Sequence, residues 1–198
     1  MYTISLLFSS LFALMAAAKP ININLIERSS ASSGSDTFNI EISNNCSSTK
    51  HFGIYQVTSS FQMNQMSDPV VIGQNQTQNI SAPYKDIGMR LSGHAEWGTS
   101  GQWASQALFE FGYSEYNDLA GTAYDLSIME GSDSDVGLAV YPILSDGVDS
   151  DDCPSKICLP GNCNSTQGWT NADQVSDGSP ADTVCYHGKM NFKVVFCP

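Results

Sequence analysis

The stretch "CPSKICLPGNCNS", residues 153–165, carries three of the six cysteines of the chain. Cysteines this close together do one of three things: bind a metal, exchange electrons, or staple a fold. Structural zinc sites draw on closely spaced cysteine or histidine pairs. Here Cys153, Cys158 and Cys163 follow one another as two Cys-x4-Cys steps, and His51, His94 and His187 have no paired spacing. His94-Ala95-Glu96 is a lone short match and reads as a surface loop; no metal site is expected. The Cys-x-x-Cys pattern of thioredoxin-like redox proteins is absent from the sequence. Staples remain, provided the chain meets an oxidising compartment.

The N-terminus points to such a compartment. "MYTISLLFSSLFALMAAAKP" has no acidic residue, an apolar run from Ile4 to Ala18, and small residues at Ala16, Ala17 and Ala18. This is the pattern of a signal peptide over residues 1–18, cleaved after Ala18 or Ala17. The run is shorter than the roughly 20 residues of a spanning helix, and Ser9 and Ser10 interrupt it. An exported chain with an even number of cysteines is expected to hold disulfides. Four N-glycosylation sequons agree with export, at Asn45, Asn75, Asn79 and Asn164. The first is the weakest, since Cys46 is its middle residue.

The net charge of −12 disfavours nucleic acid and anionic membranes as partners. Neutral polymers and cationic partners stay open. Much of the charge lies in "EGSDSD" and "SDGVDSDD", which read as solvated loops. Asp133 and Asp135 match no complete calcium-loop pattern. No cofactor motif, phosphate loop or nucleophile elbow appears in the sequence.

The elements that must position any site are short strands. "TFNIEISNNC" alternates, with Phe38, Ile40 and Ile42 on one side and Asn39, Glu41 and Ser43 on the other. "HFGIYQV", "PVVIG", "QNISA", "IGMRLSG", "QALFEFGYS", "TAYDLSI", "DVGLAVYPIL" and "NFKVVFC" are further strand candidates between polar turns. "WASQALFEF" scores as a helix, but its aromatics and Gly112 favour a strand. This pattern predicts an all-β sandwich or barrel. Residues 19–36 are a Ser-rich lead-in, residues 37–198 one domain, and residues 145–182 a loop-rich, cysteine-bearing excursion from it.

The first strand ends in "NNC", the chain ends in "FKVVFCP", and the middle carries "FEFGYSEYNDLAGTAYDLSIMEG". Together these resemble the thaumatin-like (osmotin-like) family, with its alternating first strand, "AEF" and "YDIS" strands, "VDG" turn and Phe-Cys-Pro end. The resemblance covers roughly residues 37–198 and looks closest to the small, secreted thaumatin-like proteins of fungi. It implies a thaumatin-like β-sandwich and selects one disulfide pairing: Cys46 with Cys197, Cys153 with Cys185, and Cys158 with Cys163. Most of the disulfide-rich second domain of the larger plant members is missing.

The resemblance also implies an acidic cleft. Arg90 takes its arginine position, Glu110 the "AEF" glutamate, Asp125 the "YDIS" aspartate, and Glu130 replaces the "VDG" aspartate. Asp173, Asp177 and Asp182 all lie near the fifth position, which stays open. Trp97, Trp103 and Trp169, with Tyr113, Tyr116 and Tyr124, are candidate platforms for sugar rings, Trp97 and Trp103 being the better exposed. The implied function is a secreted or wall-associated monomer that binds β-1,3-glucan or a related neutral polysaccharide. Weak endo-β-1,3-glucanase activity through Glu110 and Asp125 is a second reading. A protein-binding effector or antigen that uses the fold as a scaffold is a third.

Overall fold

In the computed structural model the alternation of Phe38, Ile40 and Ile42 becomes strand β1, Thr37–Asn44, with those three side chains fully buried. The structure describes residues 37–84, 88–129, 136–144 and 152–198. The expected signal peptide, the Ser-rich lead-in, Glu130, Asp133 and Asp135 lie outside the described residues.

Eleven strands follow β1: β2 (Lys50–Val57), β3 (Met63–Gln65), β4 (Val70–Ile72), β5 (Gln76–Pro83), β6 (Met89–Ser92), β7 (Leu108–Tyr116), β8 (Leu119–Ser127), β9 (Leu138–Ile143), β10 (Lys156–Cys158), β11 (Thr183–Cys185) and β12 (Asn191–Phe196). Five of the twelve strands form one sheet in the order β10-β9-β12-β1-β5. The other seven form a second sheet, β11-β8-β7-β6-β2-β3, with β4 paired to β2. The first and last strands lie side by side in parallel, Ile42 opposite Val194. Every long strand read from the sequence is present. The three-residue strands β3, β10 and β11 are additions, and two of them extend sheet edges with residues from, or next to, the cysteine-bearing excursion.

Between the sheets lies an aromatic core. Phe38 packs edge-on to Phe111 at 5.2 Å between centroids, and Phe109 edge-on to Phe192 at 4.9 Å. Each such side chain stabilises the fold by about 1.5–3 kcal/mol through burial, with a further contribution from edge-to-face geometry. Tyr124 belongs to this core. Its ring is buried and its hydroxyl donates to the Pro154 carbonyl at 2.6 Å, so it offers no platform to a ligand.

Three bridges close the fold: Cys46–Cys197, Cys153–Cys185 and Cys158–Cys163, with Cα separations of 5.0, 5.5 and 4.6 Å. This is the pairing the resemblance implies.

One turn sets the register on which the site depends. β7 and β8 are joined by Asn117 and Asp118 alone, at φ 50° and 63°. Asn and Asp tolerate this left-handed conformation better than most side chains, and two such residues make the tight turn that suits a twisted hairpin. The turn puts Tyr116 opposite Leu119 and, six pairs along, Glu110 opposite Asp125. A slip of one residue would turn Asp125 into the core.

Candidate functional site

The outer face of the seven-stranded sheet carries a transverse row of polar residues. Asp125 on β8 faces Glu110 on β7, Glu110 faces Arg90 on β6, and Arg90 faces Tyr55 on β2. Directly opposed residues in an antiparallel pair project to the same side of the sheet, so one face holds all four. Tyr55 closes the row at its far end: it is buried, and its hydroxyl donates to the Ala95 carbonyl at 3.4 Å. The segment that covers it joins β6 to β7.

At the near end the excursion lays two pieces of chain along the edge of β8. β11 pairs Thr183 with Tyr124, so Asp182, one residue earlier, comes opposite Asp125. Next to it Trp169 forms a parallel bridge with Ser127, donating its backbone N–H to Leu126 at 2.8 Å and accepting from Ile128 at 2.9 Å. The Trp169 indole Nε1 then donates to Asp182 Oδ1 at 2.7 Å. Of the three aspartates near the open fifth position, Asp182 is the one that lies beside Asp125. Asp173 and Asp177 lie instead in the exposed helical turn Ala172–Asp177. Trp169 borders the carboxylates on one side, and Tyr113 lines the recess beside Asp125 on the other. Trp97 and Trp103 are exposed, as expected, but lie on the β6–β7 connection, where Trp97 stacks on His94. Tyr113 packs edge-on to Tyr84, and exposed Tyr116 lies near Tyr186.

Two shallow recesses meet at Glu110. One, of about 210 Å³, is walled by Trp169, Val175, Met129 and Ser127. The other, of about 430 Å³, lies over Gly112 and Ala123 beside Asp125. Gly112 and Ala123 share the faces of Glu110 and Asp125 by strand parity, and their small size leaves the hollow. A third recess, of about 420 Å³, adjoins the second at Gly88. The three in series make an extended, open trough.

The charges are tightly coupled. Arg90 Nη2 lies 3.5 Å from Glu110 Oε1, and both side chains are largely covered, at 18% and 33% exposure. Burial pushes the Asp125 carboxyl up to about 8; the negative charges of Glu110 and Asp182 add to this, and Lys156 and Arg90 oppose it. Glu110 is also raised, by burial first, with Arg90 pulling it down and Asp182 pushing it up. One oxygen of Asp125 is buried without a hydrogen-bond partner among the described residues. A carboxylate is poorly tolerated there and a neutral acid much better.

Lys156 is the charged residue that sequence reasoning missed. It is 2% exposed, points inward from β10, and donates to the backbone carbonyls of Thr166 and Ala181. In "CPSKIC" a lysine among small and polar residues looks like a loop residue. Only the burial of Lys156 and Cys158 on either side of exposed Ile157 reveals the two-residue period of a strand.

Gly168 makes the approach of Trp169 feasible. A Cβ there would lie 2.7 Å from Cys158 Sγ, 3.1 Å from Cys163 Sγ and 3.1 Å from the Leu126 carbonyl oxygen. Gly168→Ala is expected to cost about 1–3 kcal/mol, the usual range for overpacking, and to move the indole. Denaturant unfolding measures the first effect and the Trp169 fluorescence maximum the second. An unchanged pair of values would show that the segment yields freely.

No family model matches the chain, and no curated protein matches it. Among solved structures, the protein elicitor MoHrip2 of Magnaporthe oryzae superposes with a TM-score of 0.50 at 15% identity, covering 81% of this chain and 99% of that one. The thaumatin-like xylanase inhibitor TLXI gives a TM-score of 0.47 at 11% identity, covering 80% and 99%. At these identities the likeness concerns the fold alone. With its two stacked sheets, its adjacent and bridged terminal strands and its stapled excursion, the chain has the thaumatin-like β-sandwich fold.

Proposed function

We propose that this protein is an extracellular glycoprotein that binds β-1,3-glucan or a related neutral cell-wall polysaccharide along the trough at Glu110. The observation that carries this reading is the junction of a carboxyl row with an aromatic wall: Trp169, held by Asp182, borders the recess that Glu110 lines. A sugar offers hydroxyl groups to the first and an apolar ring face to the second. Charge balance supports an uncharged ligand. The acids Asp125, Glu110 and Asp182 stand beside the cations Arg90 and Lys156, and burial holds Asp125 up to about 8, so the site is far less negative than a net charge of −12 would suggest.

Each hydrogen bond to a sugar hydroxyl adds only about 1 kcal/mol net. Useful affinity then comes from many units along the trough, and short oligosaccharides should bind poorly. In a pull-down with insoluble β-1,3-glucan, wild-type protein is expected to sediment equally at low and high salt, because screening acts on charge pairs. Trp169→Ala and Asp125→Ala should each weaken binding about tenfold, the equivalent of about 1.4 kcal/mol. Binding abolished by salt would favour the third reading, a charged protein partner.

One observation favours hydrolysis as a second reading. Burial holds the Asp125 carboxyl up to about 8 while Glu110 sits against the Arg90 cation, and two carboxyls in unlike surroundings are what glycoside cleavage uses. Reducing ends released by wild type but not by Glu110→Gln would establish it.

All four sequon asparagines are exposed. Asn79 lies on β5, which forms the edge of the five-stranded sheet, and Asn75 immediately precedes that strand. N-glycans there would cover a strand edge otherwise open to pairing with another chain, in keeping with a monomer.

A further inference from the structure

Lys156 is the one cation of the described residues that lies almost wholly inside the sandwich. It sits on β10, the outermost strand of the five-stranded sheet, yet its ammonium reaches the edge of the other sheet. There it donates to Ala181, the residue before Asp182, and at 3.2 Å to Thr166, three residues before Trp169. The same nitrogen stands 5.9 Å from the centroid of the Tyr124 ring, next in sequence to Asp125. Burying an ammonium is costly, and an apolar side chain of similar length would fill the space with less penalty. What the charge adds is a fixed position for two carbonyls and a counter-charge beneath the carboxyl row.

We propose that Lys156 is the positioning residue of the candidate site: it clamps the segments bearing Asp182 and Trp169 against β8 and sets a positive charge beside Asp125. The glucan part of this inference rests on the function proposed above; the clamp does not. The ionisable groups around Lys156 are Asp125 on β8 and Asp182 ahead of β11, with Glu110 on β7 and Arg90 on β6 one place further along the row. Burial lowers the Lys156 ammonium, and the two aspartates oppose that.

The test uses the full-length protein and Lys156→Met, which keeps the stem and removes the charge. The variant should fold with its three bridges intact. Its Trp169 indole N–H resonance should shift as the bond to Asp182 loosens. Its Asp125 carboxyl, followed by ¹³C NMR, should titrate at higher pH for want of the cation. Retention on insoluble β-1,3-glucan should fall about tenfold, the loss that one misplaced contact brings. An unmoved indole resonance together with an unmoved Asp125 midpoint would overturn the proposal, whatever the glucan result. Wild-type protein that ignores glucan would defeat the glucan reading alone, because both spectroscopic readouts remain. Should Lys156→Met fail to fold, Asp125→Asn decides: the ¹⁵N titration of Lys156 should move to lower pH without the neighbouring anion, and an unmoved midpoint would overturn the assignment.

Discussion

Replacing Cys46 and Cys197 together by serine should remove about 5 kcal/mol of stability, whereas replacing Cys158 and Cys163 should remove only about 2 kcal/mol. The contrast follows from the lengths of chain enclosed. The first bridge closes a sequence separation of 151 residues and the last a separation of 5. The loop-closure term grows with the logarithm of that number. The long bridge also guards the pairing that needs guarding most. β1 and β12 run parallel in the five-stranded sheet, and nothing local in the sequence brings them together. For a domain of this size, 5 kcal/mol is a shift of about 10–20 °C in Tm and a large share of the 5–15 kcal/mol typical of total stability. Urea unfolding of the two double-serine variants, compared at one pH, measures both numbers. Equal losses would mean that the unfolded chain is already confined by the other bridges and that loop length does not set the effect.

The parts of this architecture that were legible in the sequence share a physical reason. Strands buried on one face must alternate, and Phe38, Ile40 and Ile42 do so plainly. Arg90, Glu110 and Asp125, the members of the row on β6, β7 and β8, were legible through the resemblance, whose strand motifs carry them. The turn that pins their register is carried by Asn117-Asp118, polar residues that accept the left-handed conformation a tight hairpin needs. Asp182, Trp169 and Lys156 were harder. They sit in short segments whose position is fixed by disulfides, by single bridges to β8 and by side-chain bonds to carbonyls far away in sequence. A three-residue strand is too short to show a period. The place of an indole relative to a site depends on what distant chain does: Trp97 and Trp103 are exposed, yet it is Trp169 that is bonded to Asp182. The carboxylate to which Trp169 is bonded was visible only as one of three nearby aspartates.

Asp125→Asn should change how stability depends on pH by a large amount. The folded protein holds this carboxyl up to about 8 against an ordinary value of 3.8, so the native state keeps a proton that the unfolded chain releases. Stability associated with Asp125 is then fully present below about pH 4, declines as pH rises, and is lost once pH passes about 8. Four units at about 1.4 kcal/mol each is on the order of 5 kcal/mol. Asparagine cannot ionise and so removes the decline. Taking the difference between variant and wild type at each pH cancels the titrations common to both proteins. The difference should move steadily in favour of the variant between pH 4 and 8 and level off above, read from urea midpoints. Parallel curves would mean that Asp125 ionises in the folded protein as it does in the unfolded one. In that case Arg90 and Lys156 would be its true partners, and the site would carry more negative charge than a neutral polymer requires. A diverging pair would instead make Asp125 a hydrogen-bond donor at neutral pH, able to serve a sugar oxygen beside the carboxylate of Glu110, and would place the acid of any hydrolytic pair on β8.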